Sequence, residues 1–459
     1  WGDFDNDGDL DLFLANQDGG NRVFRNDGAG GTCWLFSEVI STDLSLNLES
    51  VAAEWVDDDH DGILDLYISN RDGANQFLSS DNGFLDQVPG VLSFPGGSQG
   101  VAWCDYDIDM DADLWLVSET DEDFTYTQDN ASGFEEQVWT SVISGQGCSW
   151  GDFDNDGDFD LFVTNWGLND ILWENLGSGQ FQPVANSGLD LMGFGQAAAW
   201  GDYDNDGFLD LFVANSFGTN WLFKNLGGSG QFSIVTDIEG LAVDRSIGAA
   251  WSDVDLDGDL DLYICNFQEN NKLLRNDGPL NGNWLQVDAR GFAGGTKSNR
   301  AALGAIIKVE AGGLTMWRSV NGSTGYGSQG SLVQHFGLGD ATIVDQVTVF
   351  WPFDLGNGAH SPSIITGVAI NQRLLVEEQD NPLSGVPGAD STGLFTLGHC
   401  YPNPFNPRTT IEFSLKREAI VDLRVFDISG NLVKVLVAGN SLSAGDHRVA
   451  WNGRSESGN

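Results

Sequence analysis

The sequence predicts an all-β protein, and three observations carry that prediction. A passage of the form WGDFDNDGDLDLFLAN is written six times, beginning at Trp1, Trp55, Trp103, Trp150, Trp200 and Trp251, at spacings of 54, 48, 47, 50 and 51 residues. Each copy holds short strand candidates: one ending at the tryptophan, one after the acidic run, one between two asparagines (as in Asn169 to Asn175 and Asn220 to Asn225), and one after a glycine pair, as at Phe181 and Phe232. Beyond the repeats, Leu303–Glu310 and Val344–Trp351 alternate apolar and polar residues between glycine turns. Four short strands every 50 residues or so is the pattern of a propeller blade. The strand after the acidic run is apolar on both faces, as in Leu12-Phe13-Leu14 and Leu161-Phe162-Val163, which a sheet covered on both sides requires. A β-solenoid is the competing repeat architecture, but its repeats are usually shorter.

Within each repeat the acidic run carries the chemistry. Position 1 is Asp3, Asp57, Asp105, Asp152, Asp202 or Asp253, and carboxylates recur at positions 3, 5 and 9. Position 3 is Asp5, Asp59, Asp107, Asp154, Asp204 or Asp255, and position 5 is Asp7, Asp61, Asp109, Asp156, Asp206 or Asp257. Position 9 is Asp11, Asp65, Asp113, Asp160, Asp210 or Asp261. Alternating carboxylates on a tight turn suit a hard cation such as calcium, which takes six to eight oxygen ligands at about 2.3–2.6 Å. Position 6 is glycine in five copies (Gly8, Gly62, Gly157, Gly207, Gly258), giving the backbone freedom to curl round an ion. Met110 stands there in the third copy and puts the site at Asp105 to Asp113 in question. Position 7 varies (Asp9, Ile63, Asp111, Asp158, Phe208, Asp259), which suits a backbone carbonyl ligand.

The EF-hand loop also opens DxDxDG, but it ends in a glutamate at position 12 and lies between helices. Position 12 here is Leu14, Ile68, Leu116, Val163, Val213 or Ile264, and strand formers follow each loop. The EF-hand is therefore excluded. Solvated acidic turns are the bland alternative, and six copies in fixed register weigh against them. About six calcium sites are expected.

Of 459 residues, 68 are acidic and 20 basic, a formal charge of −48. Six calcium ions would bring this to about −36. Such a field disfavours nucleic acid and anionic membranes. Without metal, each loop crowds like charges, so the metal-free form should be destabilised. Five cysteines (Cys33, Cys104, Cys148, Cys265, Cys400) lack metal-site spacing and read as buried thiols, although Cys104 and Cys148 could lie near each other. No apolar run reaches the roughly 18 residues of a membrane helix. The chain opens inside a repeat, which suggests a fragment or a processed protein.

On DFDNDGDLD, DFDNDGDFD, DYDNDGFLD and DVDLDGDLD, residues 1–283 resemble FG-GAP or VCBS-type repeats, similar to the blades of integrin α-subunits. The resemblance implies calcium ligation by the position 1, 3, 5 and 9 aspartates, and propellers of this kind often have seven blades. Residues 284–378 resemble an ASPIC domain on HFGLG (His335–Gly339) and GYGSQ (Gly325–Gln329), which implies a β-rich extracellular module without established chemistry. His335 reads as a hydrogen-bonded structural histidine, since no nucleophile pattern accompanies it. Arg300 and Lys297 could bind an anionic sugar, but a turn-stabilising role is the expectation. Residues 379–393 read as a Pro- and Gly-rich linker.

From residue 394, YPNPFNP (401–407) followed by TTIEFSL (409–415) resembles the immunoglobulin-like C-terminal sorting domain of the type IX secretion system, truncated here at Asn459. That resemblance implies export and then attachment to, or release from, a bacterial cell surface. The expected function is therefore a secreted, calcium-stabilised binding or adhesion protein, with an extracellular protein or glycan as partner and no nucleic acid. A subunit of an extracellular filament, tube or surface layer, formed by homo-oligomerisation, is the alternative. A polysaccharide-active enzyme is the lesser one, because no carboxylate pair outside the loops stands out as acid and base.

Overall fold

In the computed structural model the protein is all-β, and no helix occurs among the described residues. The structure describes the whole chain except residues 31–32, 42–43, 45–47, 81–85, 88–91, 94–95, 120–121, 130–132, 140–143, 237, 239, 242–244, 278–281, 293–297, 322–325, 353–361, 379–394, 402–408, 416–418, 427–431, 452–453 and 455–459. Two compact units emerge, Trp1–Asp380 and Asn381–Asn459. The expected linker, Lys297 and most of the YPNPFNP stretch lie outside the described residues.

Each acidic loop connects an antiparallel pair of strands. The first strand ends just after the tryptophan (Ser50–Val56, Ser98–Cys104, Gly145–Gly151, Met192–Gly201, Ser246–Ser252). The second begins on the position 9 aspartate (Asp65–Asn70, Asp113–Ser118, Asp160–Asn169, Asp210–Asn215, Asp261–Asn266). Trp150 faces Leu161 and Gly151 faces Asp160, and the same register recurs at Trp55, Trp103, Trp200 and Trp251. Among the described residues, two further strands complete repeats two to five, while three strands are present in the first and the sixth. The fourth and fifth repeats share one eight-stranded sheet, joined where Trp166 pairs with Phe194 and Asn169 with Met192.

First strands of successive repeats pack against one another, so each sheet is stacked between its neighbours. The second strand is accordingly buried along its whole length in repeats two, three and five. Tyr67, Trp115, Phe162 and Phe212, all at one repeat position, are fully buried, whereas Tyr263 at that position in the sixth repeat is 43% exposed. The repeat tryptophans are core residues that also tie sheets together. Trp150, Trp200 and Trp251 donate their indole N–H to Ala102, Ser149 and Ala199 of the preceding repeat at 3.0–3.2 Å. Trp1 is half exposed instead.

Residues 283–377 form two more sheets. One orders Gln334–Gly339, Asn283–Arg290 and Gln372–Glu377, the last pair parallel; the other orders Leu314–Ser319, Ile306–Ala311, Val344–Phe350 and Ser363–Val368. Their apolar faces, with Val287, Ile307, Met316, Phe336 and Val347, join Phe4, Trp55 and Leu66 of the first two repeats in one core. In the second unit, Phe395–Tyr401, Thr409–Leu415 and Gly445–Trp451 form one sheet, and Ala419–Phe426 with Leu432–Leu442 form another. Cys104, Cys148 and Cys265 are free thiols, the first two buried.

Candidate metal centres

The loop backbone takes the same shape six times. Position 6 is left-handed at every copy, with φ between 79° and 102°, and Met110 adopts it with φ 79° despite its β-carbon. Position 4 is left-handed as well, at Asn6, His60, Ile108, Asn155, Asn205 and Leu256. Two left-handed residues fold the chain tightly enough for backbone N–H groups to point inward. The position 6 N–H donates to the position 1 carboxylate at Gly8, Gly62, Met110, Gly207 and Gly258, at 2.9–3.3 Å. The position 7 N–H donates to the position 5 carboxylate in all six loops, at 2.8–3.1 Å. The third loop therefore keeps the common form, and the doubt raised by Met110 does not extend to its geometry.

The position 9 aspartate anchors the loop from below. Its Oδ2 accepts the N–H of position 2 at Phe4, Tyr106, Phe153, Tyr203 and Val254. Its Oδ1 accepts the N–H of a residue fifteen positions on, on or just past the next strand: Asn26, Ser80, Gln128, Asn175, Asn225 or Asn276. The side-chain amide gives asparagine its place here: Nδ2 of Asn26, Asn175 and Asn225 donates to the carbonyl of Leu10, Phe159 and Leu209 at 3.0–3.3 Å.

Carboxylate oxygens then converge within 4.8 Å of one another. Asp3, Asp5 and Asp11 cluster, as do Asp105, Asp107 and Asp113, and Asp152, Asp154 and Asp160, which are positions 1, 3 and 9. Asp57, Asp59 and Asp61, and Asp202, Asp204 and Asp206, cluster through positions 1, 3 and 5. Side chains at position 7 stand outside these groups. Asp111 lies 3.5 Å from His60 Nδ1 and Asp259 accepts from Asn205 at 2.8 Å, as the carbonyl reading of position 7 allows.

Burial and mutual repulsion raise the pKa values of these acids. Asp3 is pushed up to about 6 and Asp11 to about 7, in both cases mainly by burial. Asp152 rises to about 8 by burial, against the opposing pull of Arg318, and Asp113 and Asp210 rise to about 9 by burial first and neighbouring carboxylates second. Oxygens also lie buried without a hydrogen-bond partner at Asp3 Oδ1, Asp57 Oδ2, Asp107 Oδ1, Asp152 Oδ2 and Asp204 Oδ1, one in each of the first five loops. A buried anionic oxygen lacking a donor is what a cation would satisfy.

Three features escaped the sequence reading. The position 4 side chain reaches the position 6 carbonyl of the next loop: Asn6 to Gly62 (2.7 Å), His60 to Met110 (3.0 Å), Asn155 to Gly207 (3.0 Å) and Asn205 to Gly258 (3.3 Å). Asparagine at three of six copies was the available signal. Basic residues also differ between loops. Lys224 contacts Asp204 and Asp206 of the fifth loop, and Arg275 lies 3.4 Å from Asp255 of the sixth, whereas the fourth loop has Glu174 at that place.

The third feature is the closeness of the downstream sheets. Gly337 N–H donates to Asp202 Oδ2 at 3.0 Å, and Gln286 Nε2 to Asp253 Oδ2 at 2.8 Å. Arg318 is fully buried among Asp152, Asp202 and Asp210, over the Phe336 ring. His335 Nε2 lies 2.7 Å from Asn205 Oδ1, and burial with Arg318 nearby lowers its pKa to about 3, so it is a neutral structural histidine. Arg300 donates its backbone N–H to Asn6 at 3.0 Å, in keeping with a turn role.

Residues 3–68, 152–213 and 202–264 match the model of the FG-GAP-like repeat, and residues 295–383 match that of ASPIC and UnbV. Repeats of this kind point to a β-propeller, and with the ASPIC and UnbV domain they suggest an extracellular or cell-surface repeat protein. A comparison with curated proteins found no match.

Proposed function

We propose that this chain is a secreted or surface-attached binding protein without enzymatic activity, built on a six-bladed propeller portion whose blades each hold a structural calcium ion. The partnerless buried carboxylate oxygens inside the converged clusters carry this reading. Ligands would come from the side chains at positions 1, 3, 5 and 9 and the carbonyl at position 7, an oxygen set that suits calcium. The ion would neutralise carboxylates that otherwise repel one another, and the chain's own part is to hold them in register through the position 6 and position 9 hydrogen bonds. Among the described residues no helix is long and apolar enough to cross a membrane. Export falls, in this proposal, to a sorting domain within Asn381–Asn459.

Thermal unfolding followed by circular dichroism, in excess calcium and then with a chelator, tests the reading. A site that binds only the folded state stabilises it by RT ln(1 + [L]/Kd), so several sites should lower the midpoint by more than ten degrees, roughly, when stripped. Magnesium should fail to restore it. An unmoved midpoint in protein that elemental analysis finds metal-free would overturn the calcium reading.

A further inference from the structure

Position 15 of each repeat, toward the end of the second strand away from the metal loops, is Gln17, Arg71, Glu119, Trp166, Ser216 or Phe267; Arg71, Glu119, Ser216 and Phe267 directly follow that strand and Trp166 lies within it. All six line one concave space of about 400 Å³. The repeats copy their structural residues closely, yet no two copies agree here. The size falls within the roughly 300–1,000 Å³ of small-ligand sites.

The lining combines buried polar groups with an exposed aromatic patch. Tyr326, from the segment between Leu314–Ser319 and Gln334–Gly339, is buried and lines the space, its β-carbon near Gly147. Gln196 donates to Gln146 at 2.9 Å, and both amides line the same space. The rim is aromatic on one side: Trp166, Phe194 and Phe217 meet edge to face at 5.2–5.6 Å, and Trp166 and Phe217 are 37% and 50% exposed. On the other side Arg71 pairs with Glu119 at 3.7 Å.

Arg245 completes the rim. Its guanidinium lies 4.7 Å from the Phe267 ring centre and 5.7 Å from that of Phe217, and among the described residues it has no carboxylate partner. Aromatic contacts hold its plane, one Nη donates to Gln268 Oε1 at 3.4 Å, and the rest of the N–H edge suits a carboxylate. Among the described residues this arginine stands apart from carboxylates, on a chain of net charge −48. A polyanion would be repelled by that charge, whereas a single carboxylate within a Debye length of about 8–10 Å meets Arg245 first.

We infer that this mouth binds a saccharide carrying one carboxylate, a uronic-acid unit within or at the end of a short glycan. The sugar's C–H face packs on Trp166 and Phe217, its hydroxyls meet Gln146 and Gln196, and its carboxylate pairs with Arg245. This inference rests on the reading of the chain as a binding protein and not on its metal content.

Isothermal titration of the calcium-loaded full chain with short oligosaccharides bearing glucuronic, galacturonic or mannuronic acid, each beside its carboxyl-reduced form, tests it. At least one acidic form should bind with millimolar or tighter Kd, and carboxyl reduction should weaken it at least tenfold. Arg245→Gln should give the same loss, and Trp166→Ala should weaken both forms, with the melting midpoint unchanged in each variant. Absence of binding by every uronic probe, equal affinity for the reduced form, or indifference to Arg245→Gln overturns the inference. So would a polypeptide partner whose capture requires Arg245 when no sugar binds. A null titration on protein that still melts in a calcium-dependent way rejects the sugar alone, and an unmoved midpoint on chelation rejects the metal alone.

Discussion

Met110 shows what a single residue costs a repeated loop. Its φ of 79° is the conformation that glycine provides in the other five copies. An L-residue held there gives up about 1–2 kcal/mol, partly offset by glycine's larger loss of chain entropy, about 0.5–1 kcal/mol. The bond from His60 to the Met110 carbonyl and that from the Met110 N–H to Asp105 hold it in place, and both use backbone atoms that glycine also has. Met110→Gly should therefore stabilise the calcium-loaded protein, by up to about 1 kcal/mol, read as a higher denaturant midpoint with unchanged slope. A lower midpoint would mean that the methionine side chain contributes packing that outweighs the strain.

At the scale of the loop, the cluster of raised pKa values has a direction. A carboxyl whose folded-state pKa is raised binds its proton more tightly folded than unfolded, so its contribution is fully present below the unfolded value of about 4 and is lost as pH rises through the folded value. With Asp3 at about 6, Asp11 at about 7, Asp152 at about 8 and Asp113 at about 9, protein dialysed free of divalent ions should lose stability steadily from pH 4 to 9. Excess calcium holds the same acids ionised and should reverse the trend. Melting midpoints across that range, with and without calcium, check both signs. Much of this element was legible in the sequence, because the alternation of aspartates fixes which side chains can converge and the apolar run after it fixes a strand covered on both faces. Position 4 was not legible. Asparagine, histidine, isoleucine and leucine share no pattern as letters; what they share is a left-handed backbone, and some of them a donor aimed at the next loop.

The largest difference between sequence and structure lies at the scale of the whole first unit. The change of character at Trp284 marks a new segment, but complementarity between two surfaces has no period to read. Glycine at position 6 was expected only for its backbone freedom, and it also leaves room. A β-carbon at Gly258 would overlap the Trp284 indole, and one at Gly207 would approach Leu314 to 2.7 Å. Gly258→Ala combines a left-handed alanine with overpacking and should cost about 3 kcal/mol, whereas Gly218→Ala, with φ of 103° and nothing near it, should cost about 1 kcal/mol. Denaturant unfolding of the two variants separates the terms. Equal losses would mean that the downstream sheets yield at Trp284.

The links between neighbouring loops carry one more consequence. They join the first loop to the second and the second to the third, and again the fourth to the fifth and the fifth to the sixth. At the third loop the linking position is Ile108, which has no donor to offer the fourth. If each loop holds an ion, an ion seated in one of them stiffens the carbonyl that its predecessor grips, and that help stops at the isoleucine. The six vessels would then fill as two trios, each drawing its own members together, with Asn175 reaching across from the fourth repeat to the Tyr106 carbonyl of the third.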